Sequence, residues 1–166
     1  PDGKRTKLGA YSVKNIIEDN KGNMFFGTWA NGLIRFKKRS HEFYQYKKFN
    51  KRNSAYSLHF DKIGRLWIGT WGYGIVRLDN PYNTKNPKEH QYPFKTNNFD
   101  TFYKIIEDPI TNTMWACSRE GISILNSKDV NGTWKNYTSA GTNNLNFSND
   151  IATNGNGNIW ISTLNY

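Results

Sequence analysis

A phrase that returns every 42 to 48 residues constrains this chain more than any other feature. It reads GNMFFGTWANGLIRF at residues 22–36 and GRLWIGTWGYGIVRL at residues 64–78. An aromatic residue opens each short apolar run after a polar turn: Phe25, Trp67, Trp115 and Trp160. Upstream stands an aliphatic residue, Ile16, Leu58, Ile105 or Ile151, with an acidic or amide turn between the two. Small residues follow the aromatic as Gly27-Thr28, Gly69-Thr70, Cys117-Ser118 and Ser162-Thr163. Gly32, Gly74 and Gly121 then precede another apolar run, and aromatic pairs close three copies: Phe43/Tyr46, Tyr92/Phe94 and Trp134/Tyr137. Only the first half of a fourth copy is present. Repetition at this length restricts the fold to a stack or ring of like units.

Each copy reads as four short strands. In the first copy they are SVKNIIED, NMFFGT, GLIRF and EFYQY. Their period near two, their β-branched and aromatic content and the Gly, Asn and Asp turns between them all point to strand. No stretch sustains a 3.6-residue pattern, which argues against the helical solenoids of similar period. Four strands every 45 or so residues is the pattern of a β-propeller blade. The sequence therefore predicts an all-β chain of about three and a half four-stranded antiparallel blades, a partial propeller. The blades are expected at about 12–53, 54–98, 99–144 and, truncated, 145–166.

Composition narrows the chemistry. Phe, Tyr and Trp make up 16% of the 166 residues, too many for a disordered chain. A single cysteine, Cys117, rules out an internal disulfide framework and a zinc site built on several thiolates. Replacing a glycine inside a strand, that cysteine is expected to be buried and inert. The formal charge of +10 favours polyanions, whether acidic polysaccharide, anionic lipid or nucleic acid. Hydrolysis of a glycosidic bond usually needs two placed carboxylates, and most acids here belong to the repeat turns: Glu18, Asp19, Asp61, Glu107 and Asp108. Lysines inside the Asp19 and Asp61 turns argue against calcium loops. His41, His59 and His90 lack metal-ligand spacing, and His59 stands where the other copies have Ile17 and Ile106. A structural histidine is expected there. The reading is of a non-catalytic chain without cofactor or metal.

These residues resemble a known family, the two-component regulator propeller repeat. IIEDNKGNMFFGTWANGLIRF and GRLWIGTWGYGIVRL carry the likeness closely; IIEDPITNTMWACSREGISIL and GNGNIWIST carry it more loosely. The resemblance implies the periplasmic sensor region of a Bacteroides-type hybrid two-component protein. It further implies detection of oligosaccharides and relay to a histidine kinase outside this chain. On that reading the blades pair with further blades or with another copy of the chain. Nucleic acid is not an expected partner, and a membrane is met only through segments outside these residues.

In a propeller the turns between second and third strands share one face with the links between blades. That face is expected to carry Trp29 and Asn31, Trp71 and Tyr73, and Arg119 and Glu120, with Lys48 and Arg52 from the first link. Aromatic faces can stack on sugar rings, Asn bonds hydroxyls, and Lys and Arg take carboxylate or sulfate, so the expected ligand is an oligosaccharide, an acidic one where those cations engage it. The competing role for Trp29 and Trp71 is to cover the blade tops. Two further readings stay open: a protein-interaction scaffold using the same face, and a fragment of a polysaccharide lyase or hydrolase.

Overall fold

The computed structural model describes residues 12–46, 54–94, 101–126, 129, 132–138, 145 and 147–164. Those residues form fourteen strands and no helix. The first blade comprises β1 (Val13–Glu18), β2 (Met24–Thr28), β3 (Gly32–Lys37) and β4 (Glu42–Gln45). The second comprises β5 (Ala55–Phe60), β6 (Leu66–Thr70), β7 (Ile75–Leu78) and β8 (Glu89–Tyr92). In the third are β9 (Phe102–Asp108), β10 (Thr113–Ser118), β11 (Gly121–Asn126) and β12 (Lys135–Tyr137). The fourth contributes β13 (Ser148–Thr153) and β14 (Ile159–Thr163). Every sheet is an antiparallel meander in chain order. The first strands of successive blades pack beside one another, so the sheets fan out from that edge.

The repeat landmarks have local causes. In the β1–β2 turn Asp19 Oδ1 accepts hydrogen bonds from the backbone N–H groups of Lys21 and Asn23, both at 2.8 Å. Burial pulls the Asp19 pKa up, but the bonds from Asn23 and Lys21 prevail and hold it below the usual value. Asp61 and Asp108 repeat the arrangement toward Ile63 and Ile110. The landmark Gly74 is required twice over. Its φ is +74°, and a Cβ there would come within 2.2 Å of the Tyr92 carbonyl oxygen.

Three cores lie between blades. The first gathers Phe25, Leu33 and Tyr46 of one blade with Leu58, Leu66, Ile68 and Val76 of the next. The second joins Trp67 and Ile75 to Phe102, Ile105, Met114 and Trp134. In the third, Ile106, Cys117 and Ile122 meet Ile151. Small residues let the blades close up: a Cβ on Gly69 would fall 2.3 Å from Ser57 Oγ and 2.7 Å from the Phe102 carbonyl oxygen. Cys117 takes the corresponding place in the third blade; it is buried, and burial pushes its thiol pKa up to about 12, too high for nucleophilic work near neutral pH. His59 on β5 is structural, as expected, its Nε2 accepting the Glu107 N–H at 3.0 Å across the blade boundary.

One clamp has no counterpart in the repeat lettering. The loop between β7 and β8 reaches back to the first blade, where Arg35 donates to the Tyr82 carbonyl at 2.9 Å. The Tyr46 hydroxyl bonds the Pro81 carbonyl, and the Lys21 ammonium lies 4.9 Å from the Tyr82 ring centroid.

Candidate functional site

The face is built by a hydrogen-bond motif that recurs from blade to blade. Trp29 N–H donates to the Ser12 carbonyl at 2.8 Å, and Trp71 N–H to the Ser54 carbonyl at 3.2 Å. In the fourth blade Leu164 N–H donates to the Phe147 carbonyl at 3.1 Å, while Phe147 N–H donates to the Arg119 carbonyl of the third blade at 2.8 Å. Each turn between second and third strands is thus tied to the start of a first strand, and all of them share one end of the fan. Adjacent blades are stitched at the same level: Ala30 N–H donates to Ser54 Oγ at 3.0 Å, and Trp71 bridges to Thr101.

Trp29 and Trp71 come together. Their ring centroids are 4.4 Å apart with the planes at 90°, an edge-to-face pair. Each residue remains 38% exposed, so this contact leaves apolar surface open to solvent. Ala30, between Trp29 and Asn31, sits at φ +64°, where the second blade has Gly72 at +70°. A non-glycine residue in this region is strained, and such strain gathers at binding sites.

The other predicted residues do not join that ring pair. Asn31 donates through Nδ2 to the Trp29 backbone carbonyl at 3.3 Å. Tyr73 is exposed, and its carbonyl accepts from Gln91 Nε2 at 3.4 Å. The Arg119 guanidinium rests 5.1 Å from the Phe147 ring centroid, and Glu120 is exposed beside it. Lys48 and Arg52 lie outside the described residues.

Sequence reasoning missed a further row on this face. Every first strand opens with a register shift, between Val13 and Asn15, Ala55 and Ser57, Phe102 and Lys104, and Ser148 and Asp150. The extra residues are Lys14, Tyr56, Tyr103 and Asn149. A bulge re-aims its side chain and bends the strand. Lys14 Nζ lies 5.6 Å from the Trp29 ring centroid and 5.9 Å from that of Tyr56. Tyr56 and Tyr103 pack edge to face at 5.7 Å. Side chains therefore run on from Trp71 through Trp29, Lys14 and Tyr56 to Tyr103. The available signal was positional: Lys14 and Tyr56 stand eleven residues before Phe25 and Trp67, and Asn149 eleven before Trp160.

A cleft of about 730 Å³ lies elsewhere, at the rim between the second and third blades, where Tyr92, Phe94 and Trp134 form aromatic walls. None of the residues predicted from sequence lines it. Its walls continue the inter-blade core, whereas Trp29 and Trp71 directly follow the ends of β2 and β6. Among the described residues no group of three His, Cys, Asp or Glu side chains could hold a metal ion.

Residues 51–72 match the family model described as two component regulator propeller. Those residues form one two-component regulator propeller repeat. That segment holds all of β5, the Asp61 turn, all of β6 and Trp71. Among solved structures, the extracellular domain of the one component system BT4673 from B. thetaiotaomicron has 21% identity and a TM-score of 0.75. The match covers 98% of this chain and 22% of that one. The extracellular domain of the hybrid two component system BT3049 from the same organism has 21% identity and a TM-score of 0.71, over 94% of this chain and 20% of that one. PorZ, a surface component of the type-IX secretion system of Porphyromonas gingivalis, has 17% identity and a TM-score of 0.54, covering 91% and 31%. At these identities the likeness shows the fold. The propeller repeats here span about a fifth of the length of the B. thetaiotaomicron structures. Against curated protein sequences the chain has no match.

Proposed function

We propose that these blades form a non-catalytic, extracytoplasmic sensing segment of a two-component signalling protein, and that the Trp29–Trp71 face takes up an oligosaccharide. The observation that carries the reading is the edge-to-face tryptophan pair, open to solvent where successive turns converge. Sugar rings present C–H faces that stack on such rings, and the neighbouring Asn31 amide and Tyr73 hydroxyl suit sugar hydroxyls. Relatives by fold include extracellular domains of B. thetaiotaomicron two component systems, which supports the signalling context and a periplasmic location. Occupancy would be relayed to a histidine kinase outside these residues.

Further blades, or a second copy of the chain, would complete the fan. Trp160 and Ile16, on the outer blades, are each more than half exposed, and such apolar surface favours a covering partner.

Thermal unfolding of the 166-residue chain against a panel of oligosaccharides tests the reading. A ligand that binds only the folded state raises the midpoint with its concentration. The expected result is such a rise, abolished by Trp71→Ala. A panel without any effect would turn the assignment toward a protein-interaction scaffold on the same face.

A further inference from the structure

We propose that Lys14 is the anion-anchoring residue of this face, and that its ligand class is an acidic glycan bearing a carboxylate or sulfate beside a stackable ring. The proposal rests on the oligosaccharide reading above and adds the residue that selects an acidic member of that class.

Lys14 is the extra residue at the β1 bulge, exposed at the same end of the fan as the tryptophan turns. Its ammonium lies between two rings, 5.6 Å from the Trp29 centroid and 5.9 Å from the Tyr56 centroid. Ring faces attract a cation and limit its wandering, but they do not neutralise it. Among the described residues the cations that pair with carboxylates are Arg65, Arg77, Lys88 and Lys104. Among the described residues Lys14 has no such pair, as Lys62 and Arg119 have none; its place between the Trp29 and Tyr56 rings sets it apart. The contrast with Lys104 is informative. That residue follows the β9 bulge and is neutralised by Asp150 at 3.3 Å.

The row also keeps its register while changing its identity. Bulge positions read Lys14, Tyr56, Tyr103 and Asn149, whereas the packing position beside them stays small as Gly27, Gly69, Cys117 and Ser162. A place fixed by backbone and free in chemistry is suited to selecting a ligand. With aromatic rings on both sides of the ammonium, an anionic substituent can bind while its own ring lies on Trp29 or Tyr56. A strong ion pair also needs charge-assisted hydrogen bonds, which the three ammonium donors supply. The overall charge of +10 draws polyanions toward the chain but does not select among them.

The test is calorimetric titration of the full chain with size-matched neutral, uronate-bearing and sulfated oligosaccharides, with a single-stranded oligonucleotide of equal charge as a further arm. Lys14→Met is compared with Lys14→Arg and with Lys62→Met, which removes an equal charge in the β5–β6 turn at the other end of the fan. The expected result is a preference for one acidic panel, weakened about tenfold by Lys14→Met, within twofold of the parent for Lys62→Met, and largely kept by Lys14→Arg. Whether the uronate or the sulfated panel responds identifies the anionic group. Equal losses in Lys14→Met and Lys62→Met, or equal binding of the oligonucleotide, would overturn the proposal in favour of a generic basic surface. Binding of neutral sugars that ignores Lys14→Met would also overturn it while leaving the oligosaccharide reading intact. Absence of binding to any sugar would overturn both.

Discussion

The second and fourth blades are written in nearly the same letters and live in different surroundings. In the second, β6 and β7 are buried at every position, and Trp67 is 0% exposed. In the fourth, β14 alternates between half-buried and exposed, and the equivalent Trp160 is 54% exposed. Both tryptophans follow the same kind of turn and pair with the same position of their first strand, His59 for one and Ala152 for the other. The difference comes from neighbours. Trp67 is stacked on Tyr92 at 5.8 Å, set edge-on to Trp134 at 5.9 Å, and donates to Asp61 Oδ2 at 2.7 Å. A blade's lettering thus specifies its strands, while the blade beside it decides whether they become core.

Truncating the two tryptophans should separate the blades most widely. Trp67→Ala is expected to cost about 3–5 kcal/mol, since it opens a large cavity and leaves Asp61 short of a donor. Trp160→Ala should cost less than about 1 kcal/mol, given its exposure. Urea unfolding followed by far-ultraviolet circular dichroism measures both. A Trp160→Ala cost approaching that of Trp67→Ala would mean that another copy covers the fourth blade in solution.

Acidification should distinguish the same blades. Burial pulls the His59 pKa down to about 4, against the opposing influence of Asp61, while Lys104 adds to the depression. The imidazole is neutral in the fold and accepts the Glu107 N–H. Because the folded pKa lies below the unfolded one, stability is full above about pH 6.5 and falls as the pH drops from there toward 4. The loss should be on the order of 3 kcal/mol. Replacing His59 by Ile, the residue of the first and third copies, should flatten that part of the pH profile while lowering its plateau through the orphaned Glu107 N–H.

Exchanging the small residues gives a smaller contrast. Gly69→Ser puts the fourth blade's residue against Ser57 and the Phe102 backbone and should cost about 1–3 kcal/mol by overpacking. The reciprocal Ser162→Gly removes an exposed bond to Asn149 Oδ1 and should fall within about 1 kcal/mol of the parent. Matched chemical-denaturation midpoints would reveal the asymmetry. Equal costs would show that the blades do not press together at Gly69.

Much of this architecture was legible because its landmarks recur for steric reasons. Gly74 must follow a turn, Asp61 must close one, and Trp67 must fill the gap between sheets, so each residue type marks a place. The predicted strands of the first copy differ from the observed ones by one residue or less at each end. The β7–β8 loop was less legible, since Pro81 and Tyr82 act on another blade and have no equivalent in the other copies. The bulge row escaped notice for the opposite reason. Lys14, Tyr56, Tyr103 and Asn149 share a register but no chemistry, and a search for recurring letters passes over them. Trp29 and Trp71 were readable as a repeated pair, but their edge-to-face contact depends on the tilt between two blades, which sequence periodicity does not encode.

The central claim is that the ligand meets the Trp29–Trp71 face, and the indole N–H signals of the six tryptophans test it most directly. A heteronuclear correlation spectrum of the ¹⁵N-labelled chain, titrated with the best-binding oligosaccharide of the panel, should move the Trp29 and Trp71 signals. Buried Trp67 should stay in place. Movement of Trp134, on the rim cleft, with Trp29 and Trp71 unchanged would contradict the account and place the ligand between the outer strands instead.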